Sequence, residues 1–187
     1  MNLKDYVMRI PTLERGVCEK IITEIDKYEW STNTFVYDGW KQNRREEGGN
    51  PCQTLSNTGK DGIILDALYD SIKQYVTEKG GEWFKSWAGY TGIKYNKYAT
   101  GTSMTKHADH IHSIFENEFN IPKGIPILSI IGALNDDYEG GEIEMFENTK
   151  FSLRTGEVLI FPSVFLYPHK VCEVLKGTRY SFVSWVY

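Results

Sequence analysis

The sequence lacks a long hydrophobic run: none of its apolar stretches approaches the roughly 20 residues that a membrane-spanning helix requires. The first residues, Met1 to Asp5, are polar and do not contain the apolar core of a secretory signal peptide. No internal repeat and no low-complexity linker divides the chain. We therefore expect residues 1–187 to form a single soluble domain.

Cysteine and positive charge are also scarce. The three cysteines, Cys18, Cys52 and Cys172, are odd in number, widely separated and matched to no zinc-binding spacing. This usage indicates reduced thiols in a cytoplasmic protein. The 21 basic and 25 acidic side chains give a net charge of −4, so there is no basic field that would hold a polyanion. Neither nucleic acid nor a membrane is expected as a partner.

Two segments of the N-terminal half have helical periodicity. Apolar residues recur at helical spacing in Glu14–Glu29 and again in Asp61–Lys79, which Gly80 and Gly81 end. Between them, Gly39–Gly59 is polar and long for a loop within a domain. It is either a lid or binding loop that selects the substrate, or a solvated and partly disordered excursion.

From Gly92 onward, short strands alternate with turn-forming residues. The predicted strands are Ile93–Tyr98, Ser103–Asp109, Pro126–Leu134, Glu142–Phe146, Glu157–Phe161, Tyr167–Leu175 and Thr178–Val186. This rhythm is typical of a β-sandwich or barrel. Helices followed by strands indicate the α+β class, with helical support in about residues 1–90 and a β-rich core in about residues 91–187.

Two of the four histidines occur where a mononuclear iron site requires them. His107 and Asp109 are two residues apart, so in an extended segment their side chains project from the same face and can bind one metal ion. His169, on a separate predicted strand, would complete a facial triad of two histidines and one carboxylate, which leaves positions on Fe(II) open for a co-substrate and O2. Ten residues later, Arg179 offers a planar cation suited to a carboxylate.

Five further segments, together with His107-Ala108-Asp109, occur in the same order as in a known family. They are Tyr95–Gly101, Leu134–Glu142, Gly156–Ser163, Pro168–Val171 and Gly177–Ser181. From Gly92 onward the chain resembles the Fe(II)/2-oxoglutarate-dependent dioxygenases, in particular the prolyl 4-hydroxylase-like family. The likeness is weaker in the N-terminal helices.

The resemblance implies a double-stranded β-helix, that is, a jelly-roll barrel buttressed by N-terminal helices. It also implies a dioxygenase that uses Fe(II), 2-oxoglutarate and O2, with ascorbate as a candidate reductant. The activity would be hydroxylation of a C–H bond, with release of succinate and CO2. The leading substrate is a prolyl residue in a proline-containing peptide or protein.

The resemblance also assigns roles to individual residues. His107, Asp109 and His169 would be the iron ligands and, with Arg179, the catalytic set. Arg179 would bind the distal carboxylate of 2-oxoglutarate. Three further residues would complete the co-substrate pocket: Tyr98, Ser181 and Trp185. For Tyr98 and Trp185 the alternative is an ordinary core aromatic.

Departures from the family leave the substrate open. Met104 replaces an aromatic residue that often precedes the first histidine, and Trp185 stands where nucleic-acid demethylases of the superfamily carry a second arginine. A free amino acid or another small molecule is an alternative substrate. A cupin-like metal-binding module, with its His-x-His motif at His110 and His112, and a catalytically silent jelly roll that binds a partner through its polar loop are alternatives without oxygenase activity. His112 otherwise lies in a loop at the barrel mouth or contacts the metal ligands or substrate.

Overall fold

The described part of the chain consists mainly of antiparallel strands, preceded and interrupted by helices. A computed structural model describes residues 2–33, 35–37, 42–44, 51–56, 58–59, 61–109, 115–116 and 122–187. A 3₁₀-helix covers Leu3–Tyr6, and the α-helices are α1 (Arg15–Ile25) and α2 (Gly62–Lys79). Within the described ranges, no helix is long and apolar enough to cross a membrane.

The strands occupy both halves of the chain. In chain order they are β1 (Met8–Pro11), β2 (Ser31–Thr32), β3 (Phe35–Tyr37), β4 (Gln42–Arg44), β5 (Gln53–Ser56), β6 (Lys94–Ala99), β7 (Met104–His107), β8 (Phe115–Glu116), β9 (Pro122–Gly124), β10 (Leu128–Ala133), β11 (Glu139–Gly140), β12 (Ile143–Met145), β13 (Thr149–Phe151), β14 (Glu157–Pro162), β15 (His169–Val171), β16 (Val174–Lys176) and β17 (Thr178–Val186).

Two sheets organise these strands. The major sheet has the order β1-β14-β10-β17-β6-β5-β2, and the minor sheet has the order β13-β12-β15-β7. Three two-stranded ribbons, β11-β16, β3-β4 and β8-β9, complete the pairing. No strand pairing among the described residues joins the major sheet to the minor sheet, so the two are not closed into a barrel.

Alternating side chains on the major sheet divide the interior into two cores. In β10, Ile130 lies in the core on the helix side, and the adjacent Ile131 lies in a second core. The first core contains Leu68 of α2, and the second contains Met145 of β12 in the minor sheet. One face of the major sheet is therefore covered by helices, and the other faces the minor sheet.

The backbone of β10 approaches an aromatic ring of β17 at Gly132. Gly132 is paired with Phe182 in the register of the two strands. A Cβ at position 132 would lie 2.1 Å from Cζ of Phe182, well inside van der Waals contact. The large ring of Phe182 is accommodated because residue 132 has no side chain.

Two tyrosine hydroxyls attach the first residues of the chain to the rest of the fold. Tyr75 of α2 donates a hydrogen bond of 2.8 Å to the carbonyl of Tyr6. Tyr167, in the turn before β15, donates one of 3.1 Å to the carbonyl of Leu3. The 3₁₀-helix is thus held between α2 and the turn that leads into the minor sheet.

The predicted helices are present, although the first is shorter than expected. α1 ends at Ile25 rather than Glu29. Immediately after it, the Asp26 carboxylate accepts hydrogen bonds from Lys97 and Tyr180 of the major sheet. These contacts join distant parts of the chain at the point where the helix ends. The periodicity of apolar residues in the sequence does not predict them.

Some strand predictions differ from the structure. The strand predicted over Tyr167–Leu175 is two strands, because β15 pairs within the minor sheet whereas β16 pairs with β11. β1 was not predicted, and it forms an edge of the major sheet, where its terminal Pro11 is tolerated. Within the predicted loop Gly39–Gly59, β5 pairs with β6 and belongs to the major sheet.

Candidate metal and co-substrate site

Three metal-ligand side chains converge between the two sheets. His107 is the last residue of β7 and is paired directly with His169, the first residue of β15. Asp109 follows two residues after His107, beyond the end of the strand. Its Oδ1 lies 3.5 Å from Nε2 of His107 and 4.0 Å from Nε2 of His169. One ligand atom from each residue lies within 4.8 Å of the others.

The backbone sets the orientation of both imidazole rings. Nδ1 of His107 lies 2.8 Å from the carbonyl oxygen of Thr105, and Nδ1 of His169 lies 3.1 Å from that of Tyr167. A carbonyl oxygen only accepts hydrogen bonds, so each Nδ1 is the protonated donor in the neutral ring. The lone pair of each Nε2 then points toward Asp109, as in metal sites whose histidines are oriented by backbone carbonyls.

The charge states of His169 and Asp109 also suit a metal ion. Burial lowers the pKa of His169, which favours the neutral, ligating form of the imidazole. Burial by itself raises the pKa of Asp109, but hydrogen bonding to His107 and the charges of the two histidines in their protonated forms outweigh it, so the net pKa is lowered. Asp109 is therefore ionised, which is the form of a carboxylate that binds a metal ion.

These donors fit Fe(II). Two ligand atoms at about 2.1 Å from one ion and at right angles to each other are about 3 Å apart; the Asp109 oxygen lies 3.5 and 4.0 Å from the two histidine nitrogens, so a small inward movement would bring them to this spacing. Two imidazole nitrogens and one carboxylate are the facial triad of non-haem Fe(II) oxygenases. Phe161 packs edge-on against His169, with ring centroids 5.0 Å apart, and forms an apolar wall beside the ligands.

Arg179 provides a buried positive charge on the inner face of the major sheet. It is 2% exposed, and its guanidinium carbon lies 4.9 Å from the ring centre of Tyr98. Nη1 donates a hydrogen bond of 2.8 Å to the Ser181 hydroxyl, whereas Nε has no hydrogen-bond partner in the described part of the chain. No carboxylate among the described residues pairs with Arg179. A buried cation without a counter-charge is costly, so the site is suited to an anion such as the distal carboxylate of 2-oxoglutarate.

The predicted pocket residues share one face of the major sheet. Arg179, Ser181 and Trp185 alternate along β17, and Tyr98 of β6 is paired with Arg179. Trp185 is paired with Ser129 of β10, whose hydroxyl lies 2.6 Å from that of Ser163 and helps to lower the pKa of Asp109. Tyr98 and Ser181 thus contact the guanidinium, while Trp185 lies at the end of the face near the metal ligands.

Sequence reasoning missed three polar residues on this inner face. Lys94 and Asn96 alternate with Tyr98 along β6, and Ser129 lies on β10. The signal in the sequence was the two-residue spacing of Lys94, Asn96 and Tyr98, which places all three on one side of a strand.

Other predicted features lie outside the described residues. These are His110, His112 and most of the Gly39–Gly59 segment apart from β4, β5 and a few neighbouring residues. The His-x-His motif of the cupin alternative therefore has no described geometry.

Comparison with known proteins identifies the relatives of this chain. Residues 93–187 match the family model described as the 2OG-Fe(II) oxygenase superfamily. A PKHD-type hydroxylase of Gloeothece citriformis (strain PCC 7424) is 26% identical over 96% of this chain and 77% of its own length. A PKHD-type hydroxylase of Prochlorococcus marinus (strain NATL1A) is 35% identical over 51% of this chain and 41% of its own length.

Solved structures share the fold at low sequence identity. A viral collagen prolyl hydroxylase from Paramecium Bursaria Chlorella virus-1 has a TM-score of 0.67 and 16% identity, over 97% of this chain and 94% of its own. A Pseudomonas putida prolyl-4-hydroxylase has a TM-score of 0.67 and 15% identity, over 97% and 91%. These similarities confirm the predicted double-stranded β-helix with two supporting helices, although the sheets of this chain are not closed into a barrel.

Proposed function

Because the chain belongs to the 2OG-Fe(II) oxygenase superfamily, we propose that it hydroxylates a C–H bond of a prolyl residue in a peptide or protein. The enzyme is a 2-oxoglutarate-dependent oxygenase, and its cofactor and co-substrates are Fe(II), 2-oxoglutarate and O2. The observation that carries the proposal is the pairing of a His107–Asp109–His169 cluster with the buried Arg179 in one interior.

In the proposed mechanism, three side chains would hold the iron. His107 and His169 would donate through Nε2, and Asp109 through a carboxylate oxygen. When bound, the iron supplies the activation of O2 that breaks a C–H bond and is coupled to oxidation of 2-oxoglutarate to succinate and CO2. The protein positions the reactants and excludes bulk water.

The major sheet would orient the co-substrate. Arg179 would bind the distal carboxylate of 2-oxoglutarate through its planar guanidinium, with the Ser181 hydroxyl beside it. Tyr98 stacks near the guanidinium and would limit the pocket on the β6 side. Trp185 would form a wall between this pocket and the metal ligands.

Structural neighbours support a prolyl substrate. Beside the viral and Pseudomonas enzymes, a prolyl hydroxylase from Trichoplax adhaerens was solved with a hypoxia-inducible-factor peptide fragment; it has a TM-score of 0.67 and 16% identity, over 97% of this chain and 83% of its own. The viral enzyme is a collagen prolyl hydroxylase, and the Trichoplax enzyme was solved with a peptide fragment of a protein. A cytoplasmic location is supported by Cys18, Cys52 and Cys172, all described and none in a disulfide.

The direct test is to mix purified protein with Fe(II), ascorbate and 2-oxoglutarate and to measure succinate with and without proline-rich peptides. We expect the peptide to raise succinate formation and to gain 16 mass units on proline, as found by mass spectrometry of fragments. A matched peptide with alanine in place of proline is the control. Equal succinate formation with both peptides, together with unmodified proline, would reject the prolyl substrate.

A further inference from the structure

A second cation, Lys94, lies on the same inner face as the co-substrate pocket. Tyr95, the next residue of β6, points to the helix side, where its hydroxyl donates to Asp61 at the start of α2. Lys94 therefore points to the opposite face, between the sheets, as do Asn96 and Tyr98. In the register with β17, Lys94 is paired with Val183 and Asn96 with Ser181.

The Lys94 ammonium group is only partly satisfied by the protein. Nζ donates a hydrogen bond of 2.8 Å to the amide oxygen of Asn33, which is 3% exposed and is itself fixed by a backbone bond to Cys52. An ammonium has three donors, and among the described residues no carboxylate lies within ion-pairing distance of this one. The neutral amide of Asn33 thus orients the Lys94 ammonium group but does not neutralise its charge.

Asp109 lies within electrostatic range of Lys94. Burial lowers the pKa of Lys94, and the charges of Cys52 and Asp109 act in the opposite direction. Lys94 therefore shares the inner face of the major sheet with Arg179 and Ser181 and feels the charge of Asp109.

Two further polar atoms on the same face have no hydrogen-bond partner among the residues that the structure describes. The Asn96 side-chain oxygen is buried and makes no hydrogen bond within the described residues. The same holds for the hydroxyl of Thr54, which is paired with Asn96 across β5 and β6. Buried polar groups normally have hydrogen-bond partners. A polar ligand with its own donors and acceptors would supply partners for the Asn96 oxygen and the Thr54 hydroxyl.

The co-substrate does not account for Lys94. 2-Oxoglutarate has two carboxylates, and the proposed function assigns one to Arg179 and the other to the metal. Tyr98, which is paired with Arg179, is four residues from Lys94, or about 13 Å along the strand. Both carboxylates of the co-substrate are thus assigned, and the partner considered for Lys94 is a carboxylate of another molecule.

We propose that Lys94, aimed by Asn33, binds a carboxylate of the substrate, so that the enzyme selects substrates with a negative charge close to the oxidised C–H bond. This inference rests on the proposed oxygenase function and defines its substrate class. The carboxylate is either the C-terminus of the substrate or an acidic side chain next to the oxidised residue.

The test measures binding of short peptides by calorimetry to protein loaded anaerobically with Fe(II) and 2-oxoglutarate. The probes are N-acetyl-alanyl-proline, its C-terminal amide, and N-acetyl-aspartyl-prolinamide. We expect at least one carboxylate probe to bind about 10-fold or more tightly than the neutral amide, since a hydrogen bond to a charged partner is strong. Tighter binding of N-acetyl-alanyl-proline would indicate a C-terminal carboxylate. Tighter binding of N-acetyl-aspartyl-prolinamide would indicate a side-chain carboxylate.

Three variants locate the effect. Lys94→Met should abolish the preference for carboxylate, Lys94→Arg should keep most of it, and Asn33→Asp should weaken it by placing a carboxylate beside the ammonium. Lys97→Met is the matched control, because Lys97 is on the same strand but faces Asp26 and Trp30 on the helix side. It should leave the preference unchanged.

Iron content and 2-oxoglutarate affinity of Lys94→Met should equal those of the wild type, because a lysine that only supports Asp109 would affect metal binding. Loss of iron in this variant, an unchanged carboxylate preference, or no binding of any carboxylate probe to the wild type would overturn the inference. Probes with alanine in place of proline separate the two proposals. Equal binding of proline and alanine acids, with the carboxylate preference retained, would count against the prolyl substrate alone.

Discussion

Arg179 is a charged residue that the protein buries without supplying an opposite charge among its described residues. Such an arrangement costs stability, because a guanidinium removed from water needs an anion to compensate its desolvation. The Ser181 hydroxyl and the face of Tyr98 compensate only part of this cost. A residue kept under these conditions is explained by a ligand that brings the missing charge.

Replacing Arg179 with methionine should separate co-substrate binding from stability. We expect the 2-oxoglutarate concentration for half-maximal succinate formation to rise by about 10- to 100-fold, because charge-assisted hydrogen bonds are lost. The melting temperature without ligands should stay the same or rise, since an uncompensated buried charge has been removed. Iron content should not change.

The matched control for this prediction is Arg154→Met, because Arg154 is exposed. That variant should keep the wild-type requirement for 2-oxoglutarate. A large fall in melting temperature for Arg179→Met, with unchanged co-substrate affinity, would show that Arg179 is structural.

At the scale of single residues, the convergence of His107, Asp109 and His169 was easier to predict from the sequence than the residues around them. His107 and Asp109 are two residues apart, so their proximity follows from local geometry. Lys94 and Asn33 meet only because β5 pairs with both β2 and β6 and so brings the segment after β2 within reach of the Lys94 side chain. Their contact depends on strand order, which the spacing of residues does not reveal.

Among the elements, β10 depends on the absence of a side chain at Gly132. The strand lies inside the major sheet, between β14 and β17, and it contributes to the cores on both faces. The Phe182 ring fills the space over Gly132, so any side chain at that position must displace the ring or the strand. This contact lies on the helix side, away from Arg179 and Ser181.

Gly132→Ala should therefore destabilise the fold without changing the chemistry of the site. We expect a loss of about 1–3 kcal/mol in the free energy of unfolding, as for other overpacked cores, measured by urea denaturation. A second change, Phe182→Leu, should recover part of the loss, because the two substitutions share one contact. Gly62→Ala is the control: nothing lies within 4 Å of a Cβ at position 62, so stability should not fall.

Strand predictions succeeded where one strand keeps the same partners and failed where the partners change. β17 spans Thr178–Val186, as predicted, because its alternating residues lie in one sheet along its whole length. The segment Tyr167–Leu175 has a similar pattern, but at Cys172 the backbone N–H turns to the carbonyl of Glu142 and pairing moves from β12 to β11. The alternation of apolar and polar residues does not show where a strand changes its pairing partner.

In the whole molecule, the candidate site joins the two sheets. The histidines belong to the minor sheet, whereas Arg179 and Ser181 belong to the major sheet. A metal ion with bound 2-oxoglutarate would contact both sheets at once. Ligand binding should accordingly stabilise the entire fold.

Thermal unfolding under anaerobic conditions tests this coupling. At ligand concentrations about 100-fold above the dissociation constant, stabilisation of about 2.7 kcal/mol is expected, or roughly 5–10 °C for a domain of this size. Mn(II) alone should raise the melting temperature, and 2-oxoglutarate should raise it further only when the metal is present. Asp109→Ala should remove both shifts and the bound metal. Lys106→Ala, an exposed substitution on β7, should keep them.

Tyr167 gives the distal histidine a connection beyond the site. Its carbonyl orients the His169 ring, and its hydroxyl is bonded to the carbonyl of Leu3. A rearrangement of the 3₁₀-helix that displaces the Tyr167 hydroxyl would therefore also shift the Tyr167 carbonyl. It would thereby change the orientation of the His169 ring, whose Nε2 would face the metal. Tags or partners attached just ahead of Leu3 are therefore positioned to alter iron affinity, even though they would touch none of the ligands.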